Sequence, residues 1–265
     1  MNRFARALPD LARVAFAGVV TYRAEMAIWI LATTLPLVML AVWDAVVAEG
    51  PVAGFDGSGV ARYFFATLIV RQLTGVWLLW ELSQEIRSGS LSIKLLRPQN
   101  PLLYHALQML LALPLRLVVL APILVVFAAL RPELVWWASP AQWGLFLVTT
   151  ALAWWITFGV QALIGMVSFW ADKADGLFGV WFTFWMLASG YMIPFAFLPE
   201  VARDALFWLP FRATLALPIE VWTGTLPVAD AGPDVAVQLV WSLGLALAVA
   251  AMWRRGLARY GAFGA

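Results

Sequence analysis

Residue types that do chemistry are scarce in this chain of 265 residues. The single histidine, His105, cannot build a histidine zinc site alone. Neither an H-E-x-x-H run nor a G-x-S-x-G elbow accompanies it. His105 therefore reads as a satisfied or interfacial side chain rather than a catalytic one. There is no cysteine, which excludes disulfides and thiolate-bound metals. A phosphate-cradling loop needs a lysine directly after a glycine, whereas the lysines here are Lys94, after Ile93, and Lys173, after Asp172. The chain is thus expected to carry no catalytic residue, no metal and no cofactor of its own. What remains is a pair of arginines, Arg71 and Arg116, deep inside long apolar runs. If those runs lie in lipid, each charge costs about 3 kcal/mol or more unless it faces protein or water. Either the two arginines line a polar pathway, or they are structural anchors paired with a helix-end carbonyl or a carboxylate. Asp44 and Glu81 lie near the ends of apolar runs and reach the interface.

The apolar runs dictate the elements. Hydrophobic residues make up 63% of the chain and charged residues 12%, half of the roughly 25% charged residues of a soluble domain. The runs are continuous and outlast the roughly ten-residue alternating segments of a barrel. Helices are expected, because a helix satisfies its own backbone in lipid. The fold class is an all-α integral membrane protein of six transmembrane helices, with one transmembrane domain over 1–265. Residues 1–23 form an amphipathic interfacial helix, with Arg3, Arg6, Asp10 and Arg13 on one side and Phe4, Leu8, Leu11 and Ala15 on the other. Asp10 and Arg13 also interrupt any signal-peptide core, so no cleaved signal is read. The first two spans fall within 24–80, from about Glu25 to Val47 with a kink at Pro36 and from Val60 to Trp80. Residues 81–100 form a polar connection. The third to fifth spans fall within 101–197: Leu102 to Leu130 (with Pro114 and Pro122 inside), Trp143 to Trp170, and Leu177 to Phe197. Residues 198–233 are broken by Pro199, Pro210, Pro218, Pro227 and Pro233, yet Leu206, Phe207, Trp208 and Phe211 suggest that they dip back into the membrane as an outer re-entrant helical hairpin. The sixth span, Val235 to Trp253, and a basic tail complete 234–265. The abundant tryptophan and phenylalanine read as interfacial belts and lipid-facing packing in preference to a wall for an apolar substrate.

Arginine and lysine set the orientation. Arg3, Arg6, Arg13, Arg23, Arg87, Lys94, Arg97, Lys173, Arg254, Arg255 and Arg259 fall on one side. Opposite are Arg62, Arg131, Arg203 and Arg212, among many carboxylates. The first side is expected to be cytosolic and to hold both termini. The basic residues are spread over span ends, so the pI of 9.2 marks topology and not a nucleic-acid footprint.

The most informative stretch is Glu81 to Arg97, in which apolar and charged residues alternate around the break Ser88-Gly89-Ser90. Its second half can form a short amphipathic helix ended by Pro98. The run Glu85-Ile-Arg-Ser-Gly-Ser-Leu-Ser-Ile-Lys-Leu-Leu-Arg-Pro98 resembles the cytosolic segment after the second span of type-2 ABC exporter permeases. It is most similar to the subgroup of small bacterial transport-system permeases. Tyr22-Arg23, between the amphipathic helix and the first span, agrees. Ser189-Gly-Tyr-Met-Ile-Pro-Phe-Ala-Phe-Leu-Pro199, with Tyr191 and Pro194, resembles that family's fifth-span end. Leu209 to Gly224, with Pro210, Phe211 and Pro218, resembles its outer hairpin. The resemblance implies a multi-pass protein of the bacterial cytoplasmic (inner) membrane, contacting membrane lipids. It also implies a second permease, identical or homologous, and separate ATPase subunits that hold ATP and Mg. The coupling residues would be Glu85, Arg87, Leu91, Lys94, Leu95, Leu96 and Arg97, with Leu91, Leu95 and Leu96 entering a groove of the ATPase. Two other classes compete. An ion-coupled carrier or channel acting alone would need a mid-membrane acidic cluster or an internal repeat, and a membrane-embedded lipid enzyme would need a nucleophile or acid–base pair. None of these is visible.

Overall fold

The structure is a computed structural model that describes residues 35–134, 136–171 and 175–262. The expected interfacial helix, the beginning of the first span and Lys173 lie outside the described residues. Among the described residues the chain is helical, apart from one isolated antiparallel bridge between Val52 and Phe55. Helix α1 is Leu35–Val47 and α2 is Gly57–Thr74. Asp56 caps α2 by accepting from the Gly59 amide at 2.7 Å, which satisfies one of the orphan amides of the first turn. That bond and one from the Ser58 hydroxyl hold the Asp56 carboxyl below its usual pKa.

The expected second span, Val60 to Trp80, falls within the apolar stretch Gly57–Arg87 and is interrupted inside it. Helix α2 stops at Thr74, Gly75-Val76-Trp77 is irregular, and α3 (Leu78–Arg87) resumes beyond the expected end. Ser88-Gly89-Ser90 then turns, with Gly89 at a positive φ of 76°, and α4 (Leu91–Leu95) forms the short amphipathic helix. The stretch expected as the third span is α5 (Pro101–Leu111) followed by α6 (Leu113–Leu130). Pro114 opens α6, as a proline can in a first turn, and Pro122 lies within it.

Helix α7 (Pro140–Met166) is the centre of the molecule. Ser139 and Gln142 form a capping box around its first turn. Helix α8 (Asp175–Ala188) is shorter than the expected fifth span. It ends there because the Ser189 carbonyl is taken by the Ala216 amide at 3.0 Å and Gly190 adopts a φ of 88°. Three short helices follow, α9 (Glu200–Phe207), α10 (Pro210–Thr214) and α11 (Ala216–Thr223). The last helix, α12 (Gly232–Ala262), outruns the expected sixth span at both ends.

Helix α7 packs against α12, α3, α11, α10 and α2. Small residues allow the closest approaches. A Cβ on Gly159 would meet Leu245 Cβ at 3.2 Å, and one on Gly165 would meet the Leu79 carbonyl oxygen at 3.3 Å, the small-residue packing expected where lipid supplies no hydrophobic drive. Among the described residues, four helical stretches are long and apolar enough to cross a membrane: Gly57–Arg87, Pro101–Leu130, Pro140–Phe169 and Gly232–Tyr260. Leu35–Val47 and Gly176–Ala188 are apolar but shorter. The Pro101–Leu130 stretch is only 17% buried, and it turns Val118, Val125 and Val126 outward, a surface suited to lipid or a second membrane protein.

Candidate functional site

Three polar places interrupt the apolar bundle. The first is the break between α2 and α3. Ending a helix inside a membrane orphans its last carbonyls and the next helix's first amides, and other groups must satisfy them. Arg116, on α6, donates from Nη1 to the Gly75 carbonyl at 2.7 Å and to the Gln72 carbonyl at 3.3 Å. Gln161, on α7, donates to the Val76 carbonyl at 2.6 Å and accepts from the Leu79 amide at 3.3 Å. The structure thus gives Arg116 the anchoring role at a helix-end carbonyl. Its side chain is 1% exposed, and its guanidinium lies 4.0 Å from the Trp77 ring centroid.

Arg71 comes to the same place from α2. It stacks 5.0 Å from the Trp185 ring centroid and hydrogen-bonds the Tyr191 hydroxyl. The two guanidiniums converge on Gly75: a Cβ there would meet Arg71 Nη1 at 3.1 Å and Arg116 Nη1 at 3.6 Å. Their described partners are carbonyls, aromatic rings and a hydroxyl, none of them anionic. Arg116 Nε and Nη2 are buried without a partner.

The second place is the polar end of the bundle around α3, α4 and α5. His105 is 1% exposed and sits between two carboxylates, with Nδ1 3.0 Å from Glu81 and Nε2 3.1 Å from Glu85. Both contacts are hydrogen bonds only when the ring carries both protons. Lys94 closes the cluster as an ion pair with Glu85 and stacks on Tyr104. Glu85 and Lys94 thus tie α3 to α4 and to the start of the third span. Leu91 is fully buried in this chain's own core, and Leu95 is partly buried against that core. Leu96 is 86% exposed, Ile93 is 62% exposed, and Arg87 and Arg97 are exposed on the same segment. The apolar surface presented outward is therefore Ile93 and Leu96, of which sequence reasoning singled out only Leu96. The C-terminal part of α12 reaches the same end, where Arg259 donates to the Phe169 carbonyl.

The third place is at the opposite end. A cavity of about 490 Å³ is lined by Tyr63, Phe195, Phe207, Arg203, Asp204 and Arg212, among others. Arg212, on α10, pairs with Glu220 at 2.6 Å and with Asp234, and it packs over Phe195. Tyr191, Pro194, Pro210 and Pro218 are buried, Phe211 is partly buried with its ring tilted against Trp181, and Pro199 is exposed. Helix α11 lies against α7 and α2 and is buried from Ala216 to Val221.

Gln161 and the Arg212–Glu220–Asp234 group were not singled out from sequence. Gln161 had a signal, as an amide well inside the apolar run of α7. So did Gln238 on α12, whose amide nitrogen donates to the Thr149 and Ala213 carbonyls, each at 2.8 Å.

The family model described as "ABC-2 family transporter protein" matches residues 29–264. No curated protein and no solved structure matches the chain.

Proposed function

The chain belongs to the ABC-2 family of transporter proteins, a multi-pass membrane permease of an ABC transporter, and on that premise we propose that it exports its substrate with energy from separate ATP-binding-cassette subunits. ATP and Mg are held by those subunits, and this chain carries no ATPase site. Two permeases, alike or homologous, form the pathway in the bacterial cytoplasmic membrane. Each has six spans, both termini in the cytosol, and an outer re-entrant hairpin made of α9 to α11. The buried α11 and the proline-opened α10 support the hairpin.

The observation that carries the reading is the short helix α4 with its exposed pair Ile93 and Leu96. Two large apolar side chains standing in water beside Arg87 and Arg97 form an anchor with a charged rim, the make-up of a docking contact. Helix α4 is tied to the spans through the Lys94–Glu85 pair and the His105 contacts. A push on α4 is therefore delivered to both the second and third spans.

The test is purification of the full chain from its native membrane, with co-purifying ATPases identified by mass spectrometry. The wild-type chain should bring an ATP-binding-cassette ATPase with it. Ile93→Asp combined with Leu96→Asp should lose that partner while inserting and folding normally. Stoichiometric ATP binding by the isolated chain would overturn the reading, as would full retention of the ATPase by the double variant.

A further inference from the structure

We propose that the break in the second span is a binding site for an oxyanion, the carboxylate or phosphate of an amphiphilic molecule, seated on the unused edge of Arg116 with Arg71 beside it. A guanidinium presents five N–H donors. Arg116 spends Nη1 on the carbonyls that end α2. Its Nε and Nη2, which together form the side-on fork that carboxylates and phosphates bind with two parallel hydrogen bonds, are buried and unpartnered. An arginine needed only as a cap for α2 has no use for that fork, and its desolvation is a cost. Arg71 adds a second positive charge converging on Gly75, and its partners among the described residues, Trp185 and Tyr191, are not anionic. Arginine stays protonated under all ordinary conditions, so among the described residues two positive charges share one apolar site without an anion.

The carboxylate in the first turn of α3, Glu81, is turned away to His105, and the start of the helix adds potential of the same sign as the arginines. Helix α3 begins at Leu78, and its first turn carries the positive end of the helix dipole. Trp77, its N-cap residue, supplies no side-chain cap. Discontinuous helices whose ends face charged groups in mid-membrane are the usual construction of substrate sites in transporters. Arg116 lies near the midpoint of the Pro101–Leu130 stretch, a depth reached by the head of an amphiphile in transit and not by a free ion. The binding chemistry stands on these residues alone. Only the identification of the occupant as cargo rests on the permease reading.

The experiment uses the full chain in nanodiscs of phosphatidylcholine, titrated with dodecyl phosphate and, as the uncharged control, dodecanol. Dodecyl phosphate should bind saturably and at least about tenfold more tightly than dodecanol, the difference of roughly one charge-assisted hydrogen-bonded contact. Arg116→Lys keeps a charge and a donor for the Gly75 carbonyl but removes the fork. It should weaken dodecyl phosphate binding by about tenfold or more with the melting temperature nearly unchanged. Arg71→Gln, which leaves the cap of α2 in place, should also weaken it. If discs containing phosphatidylglycerol abolish dodecyl phosphate binding, a lipid headgroup is the resident oxyanion. If they do not, the site selects single-chain cargo. Equal binding of dodecyl phosphate and dodecanol, or unchanged binding in Arg116→Lys, overturns the proposal. No ATPase takes part in this measurement, so its failure would leave the co-purification test of the transport reading untouched.

Discussion

Replacing Gln161 by Met tests whether the second span is truly broken and held open by side chains. The substitution keeps the length of the side chain and removes its amide. Two backbone groups then lose their partner at once: the Val76 carbonyl, 2.6 Å from Gln161 Nε2, and the Leu79 amide, 3.3 Å from Oε1. Interhelical hydrogen bonds in membranes average only about 0.6 kcal/mol, because the freed groups find other partners. Here the alternatives are poor. Both groups sit in an irregular segment surrounded by buried Leu78, Leu79 and Gly165, and an orphaned buried backbone group costs about 1–3 kcal/mol. The shorter contact dominates, so the expected loss is about 2–4 kcal/mol. It would be read as a shift in SDS-driven unfolding in mixed micelles, with faster hydrogen exchange at Leu79. Thr183→Val is the control. Its hydroxyl bonds within its own helix on an exposed face, and it should change stability by no more than about 0.5 kcal/mol. A Gln161→Met effect no larger than the control, with unchanged exchange at Leu79, would mean that the helix continues through Gly75 to Trp77 and that the argument for side-chain capping is wrong.

Leu95→Asp, in contrast to a charge at Ile93 or Leu96, should lower the stability of the permease itself, since Leu95 packs against the chain's own core; a Leu95→Asp chain of wild-type melting temperature would refute that packing. Gly190→Ala should cost about 2 kcal/mol or more, because the new Cβ would lie 2.3 Å from the Tyr63 hydroxyl at a φ of 88°; normal yield and unfolding of this variant would contradict the geometry. Arg212→Met should destabilise by about 3–5 kcal/mol by leaving Glu220 and Asp234 buried together without a cation, and adding Glu220→Gln and Asp234→Asn should restore much of the loss in a thermal melt. A cysteine at Ser90 should resist an impermeant maleimide in intact cells and one at Val228 should react; the reverse pattern would invert the orientation.

The sequence makes the apolar runs legible because a helix in lipid must be apolar over its whole crossing. The turn at Ser88-Gly89-Ser90 and the short helix after it were legible for a local reason, the grouping of small residues ahead of an amphipathic stretch. The break at Gly75-Val76-Trp77 was not. It contains no proline, and the polar Arg71, Gln72 and Thr74 just ahead of it lie within α2 itself. It exists because Arg116 and Gln161, far along the chain, offer the donors that a broken helix needs. The coupling segment shows a related limit. Alternation identified an apolar face on Leu91, Leu95 and Leu96, but periodicity does not say what a face packs against. The chain's own core took Leu91, and Ile93 took its place outside. Helix α8 stops short of the expected fifth span because the Ala216 amide, at the start of α11, claims the carbonyl of Ser189, again a contact distant in sequence.

These long-range contacts bear on how a permease of this kind could move. A continuous helix resists bending because each turn is held by its own ladder of hydrogen bonds, and a kink needs an identifiable cause. In this chain the second span already lacks that ladder between Thr74 and Leu78, and side chains from two other helices, α6 and α7, hold the ends instead. Below the break, α3 runs unbroken to Arg87, beside the exposed α4 and tied to it by Glu85 and Lys94. Motion of α3 relative to α2 therefore exchanges side-chain partners at the break and does not unwind a helix in lipid, which would expose backbone groups at several kcal/mol each. The arginine that anchors the break is also the one with a free fork. An oxyanion arriving there would add two hydrogen bonds to the same guanidinium that holds the Gly75 carbonyl, so occupancy of the site and the geometry of the break are coupled through a single side chain.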